Sequence, residues 1–354
     1  MKKILILLLI LFLVFSFYLY NKNMDSTKRL DKLDKSEASL SAWAVYWDSE
    51  QVPNEIQSIK SSVREILYFA AYFDKDNQLF IPNTITNLHS FLEGNLKDAD
   101  ILHYLSVVND KIQKDGSSSL KDKKLLYNLL VDEGVREQHI DNLIRLCLEN
   151  GYDGIEIDYE GLGYDEYLYP YFLEFCSSLW QSLNSYGLNL RIILEPSAPI
   201  EKYDLPKGPA YVMMCYNLHG PHNGPGPKAN KEFLQGLTRK IQGSGAKVNY
   251  ALATGGFDWD SEGSVISITE ERAAELVEIY NTTPVRDDES HCLVFNYIDE
   301  NYVEHKVWFA DGDTLSYWID ILAADGAESF SLWRLGGNKR ESLAKIAGST
   351  MGLE

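Results

Sequence analysis

Three acidic side chains alternate with apolar ones near the middle of the sequence. If residues 152–160 form a β-strand, Glu156, Asp158 and Glu160 lie on one face, because successive side chains of a strand point to opposite faces. Burying like charges together raises the pKa of at least one member, which then holds a proton at neutral pH. A protonated carboxyl group beside an ionised one is what acid-catalysed bond cleavage requires. The row therefore predicts acid–base chemistry.

Two later segments carry side chains that suit a carbohydrate site. Met214 and Tyr216 share one face of a candidate strand, and Asn217 begins the loop that follows it. Trp333 lies at the end of another candidate strand, and the C–H face of a sugar packs well on an indole ring. Each of these residues alone is typical of core packing. Their combination with the carboxylate row indicates a sugar site.

The elements that position these residues form a repeating pattern. Short apolar segments alternate with amphipathic ones, which predicts an α/β fold with a parallel sheet. The predicted strands are 42–47, 65–73, 101–108, 154–160, 190–195, 211–216, 247–253 and 329–333. Eight strands predict a closed (β/α)8 TIM barrel, whose catalytic groups lie at the C-terminal ends of the strands. Glu160 is then at the rim, Asp158 is deeper and Glu156 is deepest.

The interval between the seventh and eighth predicted strands is unusually long. It spans about seventy residues, far more than an ordinary βα connection. It contains a predicted helix at 270–280 and extended segments at 291–297 and 303–309. We predict a small α+β insertion at about 256–312, within a catalytic domain that spans 40–347. Loops at this end of a barrel build active sites.

The composition and the N-terminus restrict the partners and the location. The formal net charge of -19 argues against nucleic acid, since phosphate binding needs a basic face. Residues 1–20 have a short basic start and a long apolar run, which predicts a signal peptide or an N-terminal membrane anchor. The end of the run is bulky, which favours the anchor. Residues 21–39 are predicted to be a polar linker, and the enzyme is placed outside the cytoplasm, secreted or at the cell surface.

The carboxylate row carries a family resemblance. The segment Asp153-Gly154-Ile155-Glu156-Ile157-Asp158-Tyr159-Glu160 resembles the DxxDxDxE signature of glycoside hydrolase family 18, the chitinase family. Met214-Cys215-Tyr216-Asn217 is similar to the family's sixth-strand motif, Met-x-Tyr-Asp/Asn, and Trp333 matches its eighth-strand Trp. The resemblance covers about residues 41–337. Glu156 is a departure, because the family usually has Asp or Asn there.

The predicted insertion carries a narrower resemblance. The segment 305–311, with Ser316 and the stretch 333–337 after it, resembles the bacterial spore-germination branch of the family. Members of that branch resemble N-acetylglucosaminidases that act on peptidoglycan. The resemblance therefore implies a bacterial cell-wall glycan as the first substrate, with chitin-type glycans second and the chitobiose core of N-glycans third.

The family implies a role for each member of the site. The protein would be a glycosidase that cleaves β-1,4-linked N-acetylglucosamine glycans by substrate-assisted retaining catalysis. Glu160 would be the general acid and base. Asp158 and Tyr216 would hold the substrate's acetamide group, and Glu156 would support Asp158 by sharing a proton. Trp333 would floor the reacting subsite. No cofactor and no metal are expected, and the protein is expected to be a monomer.

Some residues and functions stay open at this point. Tyr46 and Asn109 follow predicted strands and are expected to line the cleft with Met214 and Asn217. An alternative function is a non-catalytic, lectin-like barrel that binds carbohydrate at the cell surface. The usual mark of such proteins is loss of the terminal Glu of the signature, and Glu160 is present. A barrel hydrolase with an unrelated carboxylate pair is a third reading.

Overall fold

Eight parallel strands form a closed barrel in this computed structural model, which describes residues 39–112 and 117–351. The barrel strands are Ser39–Val45, Val63–Asp74, Leu102–Ile112, Gly154–Asp158, Asn189–Leu194, Ala210–Met214, Val248–Ala253 and Ser329–Leu335. The first strand pairs with the second and with the eighth, and the second pairs with the third, so the ring is complete. The predicted TIM barrel is confirmed.

Helices cover the outside of the barrel and bury the outer faces of its strands. They are Val52–Ile59, Asn83–Asn95, Lys123–Leu130, Glu133–Asn150, Leu168–Ser185, Lys231–Ser244, Gly312–Ala324 and Arg340–Met351. Several begin at polar caps: the side chains of Asp122, Asp132 and Asn230 each accept a backbone N–H of the first turn, which satisfies a donor that the helix leaves unpaired. Because both faces of the parallel strands are buried, the strands are rich in apolar residues.

A second sheet lies between the seventh and eighth barrel strands, where the sequence predicts the insertion. Its antiparallel strands are Gly255–Asp260, Val265–Ile268, Val285–Arg286, Leu293–Ile298 and Glu304–Ala310. The helix Glu270–Ile279 packs on one face, around Phe295, Val307 and Phe309. The opposite face carries Phe257 to the mouth of the barrel.

Two short strands extend the barrel at the same mouth. Leu79–Phe80 pairs with the second barrel strand, and Ser118–Ser119 pairs with the third. The predicted N-terminal anchor at 1–20 lies outside the described residues, as does the predicted linker up to its last residue. Within 39–112 and 117–351, no helix is long and apolar enough to cross a membrane.

Candidate active site

A pocket of about 460 Å³ lies at the C-terminal end of the barrel. Its lining residues are Lys121, Glu160, Glu195, Pro196, Met214, Tyr216, Asn217, Pro221, His222 and Phe257. Four of the residues predicted from the sequence are thus brought together, namely Glu160, Met214, Tyr216 and Asn217. The structure adds Lys121 and Phe257, which the sequence did not single out.

Glu160 lies just beyond the end of the fourth barrel strand and faces the pocket. Its side chain is 20% exposed, and its Oε2 lies 2.5 Å from Nζ of Lys121. Burial raises the pKa of Glu160, and the neighbouring Lys121 ammonium opposes that rise without cancelling it. A carboxyl group with a raised pKa at a pocket wall is suited to donate a proton near neutral pH.

Asn109 fixes the backbone of Glu160. Its side-chain Oδ1 accepts the backbone N–H of Glu160 at 2.9 Å, and its Nδ2 donates to the backbone oxygen of Glu160 at 3.1 Å. Asn109 itself is only 1% exposed. The expectation that Asn109 lines the cleft is therefore wrong: it is buried behind the acid, and both ends of its amide hold Glu160 in place.

Asp158 is buried next to Glu160 and is poorly satisfied. Its Oδ1 is buried without a hydrogen-bond partner in the described part of the chain. Burial is the largest cause that raises the pKa of Asp158 well above its usual range, and the charges of Glu160 and Glu156 raise it further. The adjacent carboxyl groups of Asp158 and Glu160 therefore resist being ionised together, which favours one shared proton on the pair, as the like-charge argument predicts for the row.

Glu156 is fully buried and engaged by three donors. Its Oε1 accepts from Trp43 Nε1 at 2.6 Å and from Ser106 Oγ at 2.8 Å, and its Oε2 accepts from Arg191 Nε at 3.0 Å. Among the described residues, no hydrogen bond joins Glu156 to Asp158. The predicted proton sharing is thus replaced by a bonded ion pair. The carboxylate of Glu156 thus accepts hydrogen bonds from side chains of three other barrel strands.

Arg191 carries the positive charge of this buried network. It is 2% exposed and lies inside the barrel, where it also pairs with Glu65 and donates to Ser41 and Ser331. Burial opposes the charge of the guanidinium, but Glu65 and Glu156 outweigh burial and raise the pKa of Arg191. In the sequence, the sign of this ion pair is a single arginine within the apolar segment of the fifth strand.

Tyr216 lines the pocket, whereas Trp333 packs against the same apolar cluster as Tyr216 but is not among the lining residues. Tyr216 is nearly buried, and burial, followed by the charges of Asp158 and Glu160, raises the pKa of its phenol well above the usual range. Its hydroxyl is therefore a donor at any physiological pH. Trp333 is half-buried and packs edge-on against Trp43, with ring centroids 5.6 Å apart.

An aromatic cluster extends from Trp333 along one side of the mouth. Phe69 packs against Trp333 at 4.9 Å and against Trp47 at 6.0 Å. Tyr46, predicted to line the cleft, is half-buried and packs on Trp47 and Tyr72. No group of three His, Cys, Asp or Glu side chains within the described ranges is placed to hold a metal ion. The chemistry that these residues offer is acid–base catalysis beside aromatic surfaces.

Comparison with known proteins identifies the family of the chain. The sequence model described as "Glycosyl hydrolases family 18" matches residues 42–338. The chain is 26% identical over 242 residues to "Uncharacterized glycosylase YvbX" of Bacillus subtilis. That alignment covers 63% of this chain and 69% of the relative. The chain is 24% identical over 309 residues to a "Cortical fragment-lytic enzyme" of Bacillus cereus, which covers 81% of this chain and 68% of that protein.

Solved structures show the same fold. The spore cortex-lytic enzyme SleL of Bacillus cereus superposes with a TM-score of 0.72 at 19% identity, over 89% of this chain and 75% of that one. A class V chitinase from Nicotiana tobaccum superposes with a TM-score of 0.72 at 15% identity, over 89% of this chain and 99% of that one.

Proposed function

The chain belongs to glycosyl hydrolases family 18 and is a glycosidase, and from this premise we propose that it cleaves β-1,4-linked N-acetylglucosamine glycans by substrate-assisted retaining catalysis. The observation that carries the proposal is the state of Asp158, which is buried beside Glu160 and whose Oδ1 is buried without a hydrogen-bond partner among the described residues. Pairing this oxygen with a substrate breaks no existing hydrogen bond. It is therefore available to an acetamide group.

The first step forms a cyclic intermediate from the substrate itself. Glu160 gives its proton to the glycosidic oxygen as the bond from that oxygen to the anomeric carbon breaks. The oxygen of the 2-acetamido group attacks the same carbon and forms an oxazolinium ion. Asp158 accepts the acetamide N–H and balances the positive charge, and Tyr216 donates its hydroxyl to the acetamide oxygen. Trp333 packs on the sugar ring.

The second step restores the enzyme. Glu160, now a carboxylate, takes a proton from water as the water oxygen attacks the anomeric carbon. The bond to the acetamide oxygen breaks, and the product keeps its original configuration. A protein carboxylate is not required as nucleophile in this scheme, which suits a row whose deepest member, Glu156, is committed to Arg191.

Peptidoglycan or its fragments is the substrate that we place first. The resemblance of the segment 305–311 to the spore-germination branch supports it, and so do the relatives named cortical fragment-lytic enzymes. Chitin-type oligosaccharides come second. A wall glycan lies outside the membrane, so we also propose a secreted or surface-attached enzyme, for which the apolar run at 1–20 would supply the signal or anchor.

Glu160→Gln tests the assignment. Loss of general acid–base catalysis should reduce turnover of chito-oligosaccharides and peptidoglycan fragments by about 10²–10⁴-fold, while calorimetry should still detect oligosaccharide binding. Glu166→Gln is the matched control, because Glu166 is an exposed carboxylate that pairs with Lys202 outside the pocket. A Glu160→Gln enzyme with full activity would contradict the role of Glu160.

Two further measurements address the mechanism. A thiazoline analogue of the oxazolinium ion should inhibit the wild-type protein, and glycans without the N-acetyl group should not be cleaved. Nuclear magnetic resonance of the first product should show the retained anomer. Rapid cleavage of de-N-acetylated glycans, or an inverted first product, would exclude substrate assistance. Binding without any turnover would instead support a lectin-like protein.

A further inference from the structure

Lys121 lines the pocket, and the family signature gives it no role. Among the described residues that line the pocket, it alone carries a permanent positive charge. Its ammonium lies 2.5 Å from Oε2 of Glu160, and its side chain is 52% exposed. The ion pair therefore stands at the pocket wall, where the proposed acid meets its substrate.

The position of Lys121 is built into the fold. Its backbone N–H donates to Oδ1 of Asp110 at 2.7 Å, and its backbone has a φ of 52°, in the left-handed region that a lysine seldom adopts. Asp110 follows Asn109, whose side chain bonds both the backbone N–H and the backbone oxygen of Glu160. Two adjacent residues of the third barrel strand thus position both the acid and the ammonium.

The two oxygens of Glu160 have different surroundings. Oε2 is bonded to Lys121, whereas Oε1 accepts no hydrogen bond from any described residue. The proton for the leaving group therefore belongs on Oε1, and Lys121 does not have to move when substrate binds. As that proton departs, negative charge develops on a carboxylate that already lies against an ammonium. Fixed opposite charge of this kind stabilises a developing charge without reorganisation.

We propose that Lys121 is a positioning residue that acts through Glu160 and makes it a stronger acid. The inference rests on the proposed function, because it assigns to Lys121 a part in the protonation step of that reaction. Its effect is expected to depend on the leaving group. A sugar alcohol must be protonated to leave, whereas 4-nitrophenolate departs without full protonation, so only the sugar needs the added acid strength.

The other charges around Glu160 all act in the opposite direction. Glu195 follows the fifth strand, Asp110 belongs to the third and Asp158 to the fourth, and each disfavours an ionised Glu160. Tyr216, which follows the sixth strand, remains neutral. Lys121 is the cation that opposes this set. Removing its charge should therefore move the pH at which Glu160 loses its proton upwards.

The experiment compares three variants of the full chain. Lys121→Met removes the charge, Lys121→Arg keeps it, and Lys123→Met removes a nearby lysine that pairs with Asp165 outside the pocket. The pH profile of kcat/KM is measured for a chito-oligosaccharide and for a 4-nitrophenyl glycoside of the same sugar. Lys121→Met should lose roughly tenfold on the oligosaccharide but only about twofold on the nitrophenyl glycoside. The pH above which kcat/KM of Lys121→Met falls should be higher than for the wild type.

The controls and contrary outcomes are distinct. Lys121→Arg should recover most of the oligosaccharide activity, and Lys123→Met should match the wild type on both substrates. Equal losses on both substrates, with kcat/KM falling above the same pH as in the wild type, would show a merely structural role and overturn the inference. If Glu160→Gln is inactive but Lys121→Met behaves as wild type, the inference fails while the proposed function stands. A wild-type protein that cleaves neither substrate would overturn both.

Discussion

Replacing Arg191 by Met would remove the only cation bonded to Glu156 in the described structure. Glu156 is fully buried, and Arg191 Nε lies 3.0 Å from its Oε2. Removing one partner of a buried ion pair costs about 3–5 kcal/mol of unfolding free energy. Trp43 and Ser106 still donate to Glu156 in the variant, so we expect the lower end, about 3 kcal/mol. At roughly 2 °C per kcal/mol for a domain of this size, Tm should fall by about 6 °C.

The deficit should depend on pH in a definite direction. Burial raises the pKa of Glu156, and Arg191 is the first of the groups that oppose the rise. Without Arg191 the folded-state pKa of Glu156 moves further above its value in the unfolded chain. Such a group stabilises the fold fully below the unfolded pKa, and that stability is lost as pH rises towards the folded pKa. The Arg191→Met deficit should therefore be small in acid and grow towards neutral pH.

Urea unfolding followed by tryptophan fluorescence at about pH 5 and about pH 8 measures this difference. The control is Arg136→Met. Arg136 is also buried, but its partner Glu174 is 57% exposed, so the control leaves no carboxylate stranded in the interior. Its loss of stability should be the same at both pH values. An Arg191→Met protein as stable as wild type, or one whose deficit is the same at both pH values, would refute the reasoning.

Three further substitutions probe the site and the insertion. Asn109→Ala frees the backbone of Glu160, and kcat on chito-oligosaccharides should fall about tenfold with little change in KM; a change in KM alone would contradict the positioning role. Tyr216→Phe should lose about tenfold in kcat at unchanged Tm, because its hydroxyl bonds no described residue, and an unaltered kcat would remove Tyr216 from the mechanism. Gly256→Ala would put a Cβ 1.7 Å from the backbone oxygen of Trp308, so Tm should drop by several degrees, and a wild-type Tm would show that the strand adapts.

Much of the fold is readable in the sequence because parallel barrel strands are buried on both faces. All eight predicted strands overlap the observed ones, and the long interval after the seventh marks the insertion. The fourth strand ends at Asp158 rather than at the predicted Glu160. The reason is that the side chain of Asn109, and not the backbone of the neighbouring third strand, takes the backbone hydrogen bonds of Glu160. A bond from a side chain 51 residues away leaves no local pattern.

The charges that serve the carboxylate row were harder to predict. Lys121 stands in a segment rich in lysine and aspartate, which looks like an ordinary solvated surface. Its role depends on a contact with Glu160, 39 residues away. Glu156 departs from the family signature, and nothing in its own strand accounts for the departure. Its partners Trp43 and Arg191 come from the first and fifth strands, so the reason for a glutamate there appears only in the closed barrel.

The inserted sheet leaves the barrel and returns to it at a single point. Its outgoing strand begins at Gly255 and its returning strand ends at Ala310, and these two residues are paired across the antiparallel ladder. Residues paired in this way lie roughly 5 Å apart at Cα, so a short turn would join them. The insertion is thus joined to the barrel at one place only. Replacing it by a short turn would remove Phe257 from the wall of the pocket and leave the strands that hold Glu160 unchanged.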